Sequence, residues 1–434
     1  GAGGAAQAGR RIASLSALTR EPGRWTIAIA GLLSLATAMG IGRFAFTPLL
    51  PMMLSDGVID LPAASWLASA NYFGYLVGAL LCTFQPWIWK RFAFLPQVAG
   101  PTWVRTGLVA TTLLTLGMAL QLPAAWPVLR FAAGVASALV FVYTSGWCLA
   151  QLARRNAPMM GGVIYAGPGA GIALSGLFAS GMVALQWRAA AGWLIFGGLA
   201  ALLTAVVWRT FQQRDGQGAP AAGAPSTPQR MDAPAGRKQM LWLAGAYGLA
   251  GFGYIITATF LPVIARAAMP GSVWIDFFWP IFGVGVITGA LLATRIPASG
   301  DYRHLLAGCY VVQALGIAAS IVSPTLAGFA IGSLLLGIPF TAITFFAMQE
   351  VRRLRPAAVA SYMGLLTAMY GIGQIAGPPM AALLLRHSRS VGEGFTLSLE
   401  IAAASLVAGA LMYLWMVSAY PVAGRASRPA SSQR

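Results

Sequence analysis

Three ionisable side chains stand in apolar runs that leave no water to receive them: Arg43, Arg130 and Glu400. A charge at the centre of a membrane-spanning helix costs roughly 2.5–3.5 kcal/mol even on the lenient insertion scale, so such residues face a cavity or a partner. At 1.5 Å per residue Arg43 lies about 16 Å from the outer end of its run, too deep to snorkel, whereas Arg130 lies about 8 Å from its own end and can reach the interface. A guanidinium presents a planar fork that matches a carboxylate in two hydrogen bonds, so two arginines without a deep carboxylate beside them suit an anionic ligand. Glu400, in the outer third of the last run, is the candidate proton carrier. Asn71 and Gln374 are amides that need partners in lipid, and Tyr72 adds a hydroxyl on an aromatic body. Tyr75, Tyr143, Tyr165, Tyr254 and Tyr370 extend that polar set. The plainer alternative for each charge is a structural pair, or a hydrogen bond to the carbonyl of a broken helix.

Catalytic chemistry has no comparable support. Cys82, Cys148 and Cys309 are scattered without ligand spacing, and the two histidines, His304 and His387, fall at helix ends. No carboxylate pair is spaced for acid–base work and no phosphate-binding loop is present, which argues against an enzyme, an ATP-driven pump, a metal site or a cofactor.

What must position these residues is a membrane fold. Of 434 residues 58% are apolar and 9% charged, with mean hydropathy +0.72, far more apolar surface than a water-soluble domain hides. Runs of about 20 apolar residues suit a bilayer core. They fall near 25–52, 63–84, 104–122, 125–150, 160–184, 190–208, 240–265, 272–294, 304–322, 325–349, 358–385 and 395–418. The pattern predicts an all-α integral membrane protein of twelve transmembrane helices in two six-helix bundles, 25–208 and 240–418. A Gly-, Ala- and Pro-rich cytoplasmic linker (209–239) joins them, with cytoplasmic tails at 1–24 and 419–434. Lys and Arg collect in cytoplasmic loops. Apart from Arg43 and Arg130, only Arg188, Arg266, Arg386 and Arg389 of the 28 basic residues fall on the far side when both termini are inside. The net charge of +18 is thus a topology signal with lipid head groups as partners, and nucleic acid is not implied. Arg266 and Asp276 flank a short outer loop and are expected to pair there.

Internal repetition supports the two bundles. Gly40, Gly42, Leu50 and Pro51 return at an offset of 211 as Gly251, Gly253, Leu261 and Pro262, and Gly74 and Gly78 return as Gly285 and Gly289. Phe131, Ala132, Gly134, Arg154 and Arg155 return at an offset of 198 as Phe329, Ala330, Gly332, Arg352 and Arg353. Six helices per repeat set the halves in the same orientation about an axis along the membrane normal. The Gly-x-x-x-Gly pairs put small residues on one helix face, either for packing or, if helices 2 and 8 slide against the opposite half, for gating.

The run from Gly40 to Pro51 (GIGRFAFTPLLP), Asn71 to Gly78 (NYFGYLVG) and Arg130 to Ala138 (RFAAGVASA) together resemble the YbfB/YjiJ-type branch of the major facilitator superfamily, over nearly the whole chain apart from tails and linker. That resemblance implies alternating-access transport, with helices 1 and 4 lining a central cavity. Arg130-x-x-x-Gly134 matches the place where many members carry an arginine linked to proton coupling. Gly373-x-x-x-Gly377-Pro378 resembles the Gly-Pro pattern of antiporters, although that pattern belongs to helix 5, where Gly167-Pro168-Gly169 is a looser match. The acidic–basic signature usual after helix 2 is missing, since Cys82-Thr83-Phe84-Gln85-Pro86 stands there. The expectation is a monomeric secondary carrier in the inner membrane, moving a small, anionic organic solute on a proton or solute gradient. The alternative is a proton-coupled efflux pump for lipophilic drugs or toxic compounds, which would use aromatic surfaces and need no arginine clamp. Arg43, Arg130, Asn71, Tyr72, Gln374 and Glu400 are the binding or coupling candidates. Gly74, Gly78, Gly285, Gly289, Gly377 and Pro378 are those for gating or packing.

Overall fold

The computed structural model describes residues 22–92, 94, 98–120, 122–212, 234–296, 300–355 and 359–421. Nearly all of the expected tails and most of the expected linker lie outside these residues. The described residues form twelve long helices: α1 (Arg24–Ser55), α2 (Leu61–Arg91), α3 (Gly100–Gly117), α4 (Trp126–Arg154), α5 (Gly161–Ala184) and α6 (Ala189–Val207), then α7 (Pro234–Ala268), α8 (Phe278–Ala293), α9 (Tyr302–Val322), α10 (Leu326–Leu354), α11 (Val359–His387) and α12 (Val391–Ala419). Eleven are long and apolar enough to cross a membrane. The other, α3, carries Arg105 and five threonines in its 18 residues. Polar side chains start several of them: Asp60, Asp301, Thr325 and Ser390 each accept a main-chain N–H at the N-cap of α2, α9, α10 and α12. The expected spans match within a few residues, except that α2 runs on to Arg91, so the stretch Cys82–Pro86 is helical rather than a loop.

Each half packs around its own close helix pairs, α2 with α4 and α3 with α4 in the first, α7 with α11 and α9 with α12 in the second. The halves meet along α2–α11 and α5–α8, with α1 against α7. We call the face bearing the N-terminal end of α1 and the C-terminal end of α12 proximal, and the opposite face distal. Both long seams touch from one face to the other. On α5, Cβ atoms added at Gly162, Gly169 and Gly176 would meet Thr294, which caps the end of α8, and Gly283 and Pro280 within it. On α11, those at Gly364 and Gly371 would meet Thr83 and Leu76 of α2.

The Gly-x-x-x-Gly pairs do not lie on these seams. A Cβ at Gly74 would come 1.9 Å from the Phe131 carbonyl and one at Gly78 2.8 Å from that of Val135, both on α4. Gly285 and Gly289 stand likewise against Leu334 and Ile338 of α10. Gly377 faces Ile255 of α7, and Pro378 beside it is buried. All five glycines bring helices of one half together, so the sliding contact expected of helices 2 and 8 belongs to other residues, because Gly74 and Gly285 turn inward to their own bundle.

α1 is not a continuous α-helix. Residues Ala36–Arg43 are π-helical, between α-helical Arg24–Leu35 and Phe46–Ser55, and the Phe44 N–H reaches back five residues to Met39. Such an insertion leaves main-chain carbonyls without their usual donors. Gly40 allows the approach that supports it, since a Cβ there would lie 2.3 Å from Gly171 Cα on α5. Its repeat mate Gly251 allows α7 the same approach to Tyr370 of α11.

Candidate functional site

Arg43 ends the π-helical stretch and is 3% exposed. Its guanidinium carbon lies 4.2 Å from the ring centre of Tyr75 and 5.2 Å from those of Tyr72 and Phe44, an aromatic surround that attracts a cation without neutralising it. Its Nε and Nη2 atoms are buried and have no hydrogen-bond partner. These two nitrogens share one edge of the guanidinium, the edge that takes a carboxylate or phosphate side-on through two parallel bonds. No described carboxylate forms an ion pair with Arg43.

Arg130 is equally buried but differently employed. Its Nη1 donates to the Gly42 carbonyl at 3.2 Å and its Nη2 to the Arg43 carbonyl at 3.0 Å, with the Phe46 ring 5.0 Å from its guanidinium carbon. The Ser137 hydroxyl, two turns along α4, lies 2.7 Å from the Ala38 carbonyl and 2.8 Å from the Ala133 carbonyl of its own helix. α4 thus supplies donors, through Arg130, to the carbonyls at the end of the π-helical turn of α1. The bond to broken-helix carbonyls, the plainer reading of Arg130 in the sequence, is observed, and only its Nε is left buried without a partner. Asn71 donates to the Arg130 carbonyl at 2.9 Å, while its own Oδ1 has no partner.

Rings continue from Arg43 into the other half. Phe44 packs on Phe340 and Trp279, and Phe340 on Tyr254, which stacks with Tyr370. Gln374 donates to the Tyr254 hydroxyl. The structure thus brings Arg43, Asn71, Tyr72, Arg130 and, through the ring cluster, Gln374 to the region between the halves. Glu400 is not brought there: it is exposed on the flank of α12, because the buried face of that helix runs through Ser398, Leu399, Ala402 and Leu406.

Among the described residues the fully buried carboxylate is instead Glu350, which the hydropathy pattern placed one residue beyond its run. It holds Arg353 through both oxygens and stands 3.6 Å from Arg303. Arg303 is itself fully buried. Its Nε and Nη2 clasp the two oxygens of Asp301 at 2.8 and 2.7 Å, and it donates further to the Met416 and Tyr420 carbonyls. The cluster ties the proximal ends of α9, α10 and α12 together, and its arginines hold the Asp301 carboxyl below the usual range although burial pushes it up. The repeat flags only its arginines, Arg303 and Arg353 being the mates of Arg105 and Arg155. Across the distal loop Arg266 and Asp276 do pair as expected.

Residues 35–414 match the family described as "Uncharacterised MFS-type transporter YbfB". The chain belongs to this family of MFS-type transporters. The transporter is 27% identical over 384 residues to a chloramphenicol resistance protein of Streptomyces lividans, covering 86% of this chain and 92% of that one. Among solved structures it is similar to the nucleoside transporter NupG, with TM-scores of 0.69 for a point mutant and 0.64 for another crystal structure of NupG. Sequence identities are 16% and 15%, covering 91% of this chain and 99% and 98% of those. That likeness is one of fold. It agrees with the twelve-helix, two-bundle architecture expected from the repeat.

Proposed function

We propose that this transporter carries a small organic anion, bound through a carboxylate or phosphate at Arg43, by alternating access across the inner membrane. The single observation that supports the reading is the empty Nε–Nη2 edge of Arg43, held 3% exposed among aromatic rings. A buried cation without a partner is costly, and a substrate that supplies the missing charge recovers that cost on binding. The rings of Tyr72, Tyr75 and Phe44 keep the guanidinium in place and offer apolar surface to the rest of the solute. Transport runs as a monomer on a proton or solute gradient. The basic residues on the proximal face favour that face as cytoplasmic, with both termini inside.

The relative named for chloramphenicol resistance favours a second reading, efflux of lipophilic compounds over the same aromatic surfaces. Thermal stabilisation of the purified transporter separates the two, using a panel of organic carboxylates, phosphates, cations and neutral drugs. Carboxylates or phosphates that raise the melting temperature of the wild type but not of Arg43→Ala, and that are then taken up by liposomes carrying the wild type, support the anion carrier. Stabilisation by neutral or cationic compounds that survives Arg43→Ala sinks it in favour of efflux.

A further inference from the structure

Three hydroxyls donate between described residues of the two halves, and all three lie in the distal half of the molecule. Thr47 of α1 donates to the Ala258 carbonyl of α7 at 2.6 Å, and Ser69 of α2 to the Ile375 carbonyl of α11 at 2.9 Å. Tyr72 of α2 bonds Thr259 of α7 at 2.8 Å. Ser180 of α5 stands 3.2 Å from the Asp276 carbonyl in the distal loop but donates its proton at 2.8 Å to the Gly176 carbonyl of its own helix. Thr259 spends its own proton on the Ile255 carbonyl, so Tyr72 is the donor to it.

Two of the acceptors share a cause. Inside a helix a carbonyl is normally taken by the N–H four residues on, and proline has none. Pro262 stands four residues after Ala258, and Pro379 four after Ile375, both within helices. Each proline frees the one carbonyl that a hydroxyl from the opposite half then occupies. Thr47 and Ala258 are also separated by 211 residues, the offset of the repeat, so this bond joins equivalent positions of the two halves. Thr47 lies one turn distal to Arg43, and the Tyr72 ring is the same one that faces the Arg43 guanidinium.

We infer that Thr47, Ser69 and Tyr72 are the residues that shut the Arg43 region from the distal face, by donating across the halves to two proline-freed carbonyls and to Thr259. When the halves part, those carbonyls have no internal donor to fall back on and only water can satisfy them. A half-open, dry state is therefore disfavoured, and closure is held as a unit. Because Tyr72 touches both Arg43 and Thr259, a solute that reorients Arg43 acts directly on the closure. Only this last step rests on the anion reading; the closure itself involves no substrate.

Spin labels on Ser55→Cys and Ala268→Cys, at the exposed distal ends of α1 and α7, report the opening as a distance distribution in lipid nanodiscs. Cys309→Ala removes the one native thiol that is not buried. Thr47→Val, Ser69→Ala and Tyr72→Phe are each expected to raise the long-distance population about fivefold, the ratio for a net hydrogen bond of about 1 kcal/mol. Thr47→Ser keeps the donor and should retain the wild-type distribution, while Pro262→Ala gives Ala258 an internal donor and should act like Thr47→Val. Distributions unchanged in all three donor variants, or Thr47→Ser opening as far as Thr47→Val, overturn the inference. Each single variant carries the test by itself, so one that fails to fold does not remove it. Anion binding is measured separately, so loss of the closure and loss of the anion reading are distinguishable.

Discussion

The two halves descend from one repeat yet treat their buried arginines in opposite ways. In the second half Arg303 presents its Nε–Nη2 edge to Asp301 and gives its remaining donors to carbonyls, with Glu350 and Arg353 beside it. In the first half the same edge of Arg43 is empty. At the offset of 198, Arg303 corresponds to Arg105, Asp301 to Trp103 and Glu350 to Leu152. The first half thus has the arginine of the proximal cluster without either carboxylate, and the Arg105 guanidinium lies over the Trp208 ring instead. A filled fork is a fastening. In the proposed function the open one is where the solute binds, so the charge balance would separate the part that holds the protein together from the part that meets a solute.

The contrast breaks most visibly if stability and binding are read together. Arg303→Met leaves Glu350 buried with one partner fewer and removes the clasp on α12, and should cost about 3–5 kcal/mol of stability in denaturant titrations of the purified protein. Arg43→Met should leave the unliganded protein within about 1 kcal/mol of wild type, since no ion pair is lost. A large loss in both variants would mean that Arg43 too is a fastening.

Ligand affinity gives the next largest effect. With a stabilising anion in hand, Arg43→Lys should weaken binding about 100-fold by calorimetry, because an ammonium cannot reproduce the two-pronged contact and each bond to a charged group contributes about 1.5–3 kcal/mol. Arg130→Lys should act mainly on stability, through the Gly42 and Arg43 carbonyls.

The repeated glycines sharpen the comparison where the halves agree. Gly74→Ala and Gly289→Ala each force a Cβ to within 2 Å of a carbonyl oxygen, at 1.9 and 1.7 Å, and should each lower stability by about 1–3 kcal/mol. Gly181→Ala, with nothing within 4 Å, should be neutral in the same melts.

The smallest effect is the pH dependence of the filled fork. Because the Asp301 carboxyl is held low in the folded protein, its contribution is fully present above the unfolded value of about 3.9 and is lost as pH falls through the lower folded value. The melting-temperature advantage of wild type over Asp301→Asn should therefore persist near neutrality and shrink below about pH 4. An advantage constant down to pH 3 would mean that the clasp does not depend on charge.

Composition, hydropathy and the repeat determined the twelve helices, their near boundaries, the two bundles and the depth of Arg43, because lipid imposes a length and an apolarity that a single sequence displays residue by residue. Which way a side chain faces is not written in hydropathy. Glu400 and Glu350 look alike in a helical run, yet one turns to the flank of α12 and the other to two arginines. Arg43 and Arg130 look alike as deep cations, yet a π-helical turn that exposes carbonyls in α1 occupies one and leaves the other free. Pro262 and Pro379 were legible as helix-distorting residues, but the hydroxyls that take up the carbonyls they release come from chain segments 211 and 306 residues away. Those partnerships were decided only by the tertiary packing, since a buried polar group is satisfied by whatever the fold brings within hydrogen-bond reach.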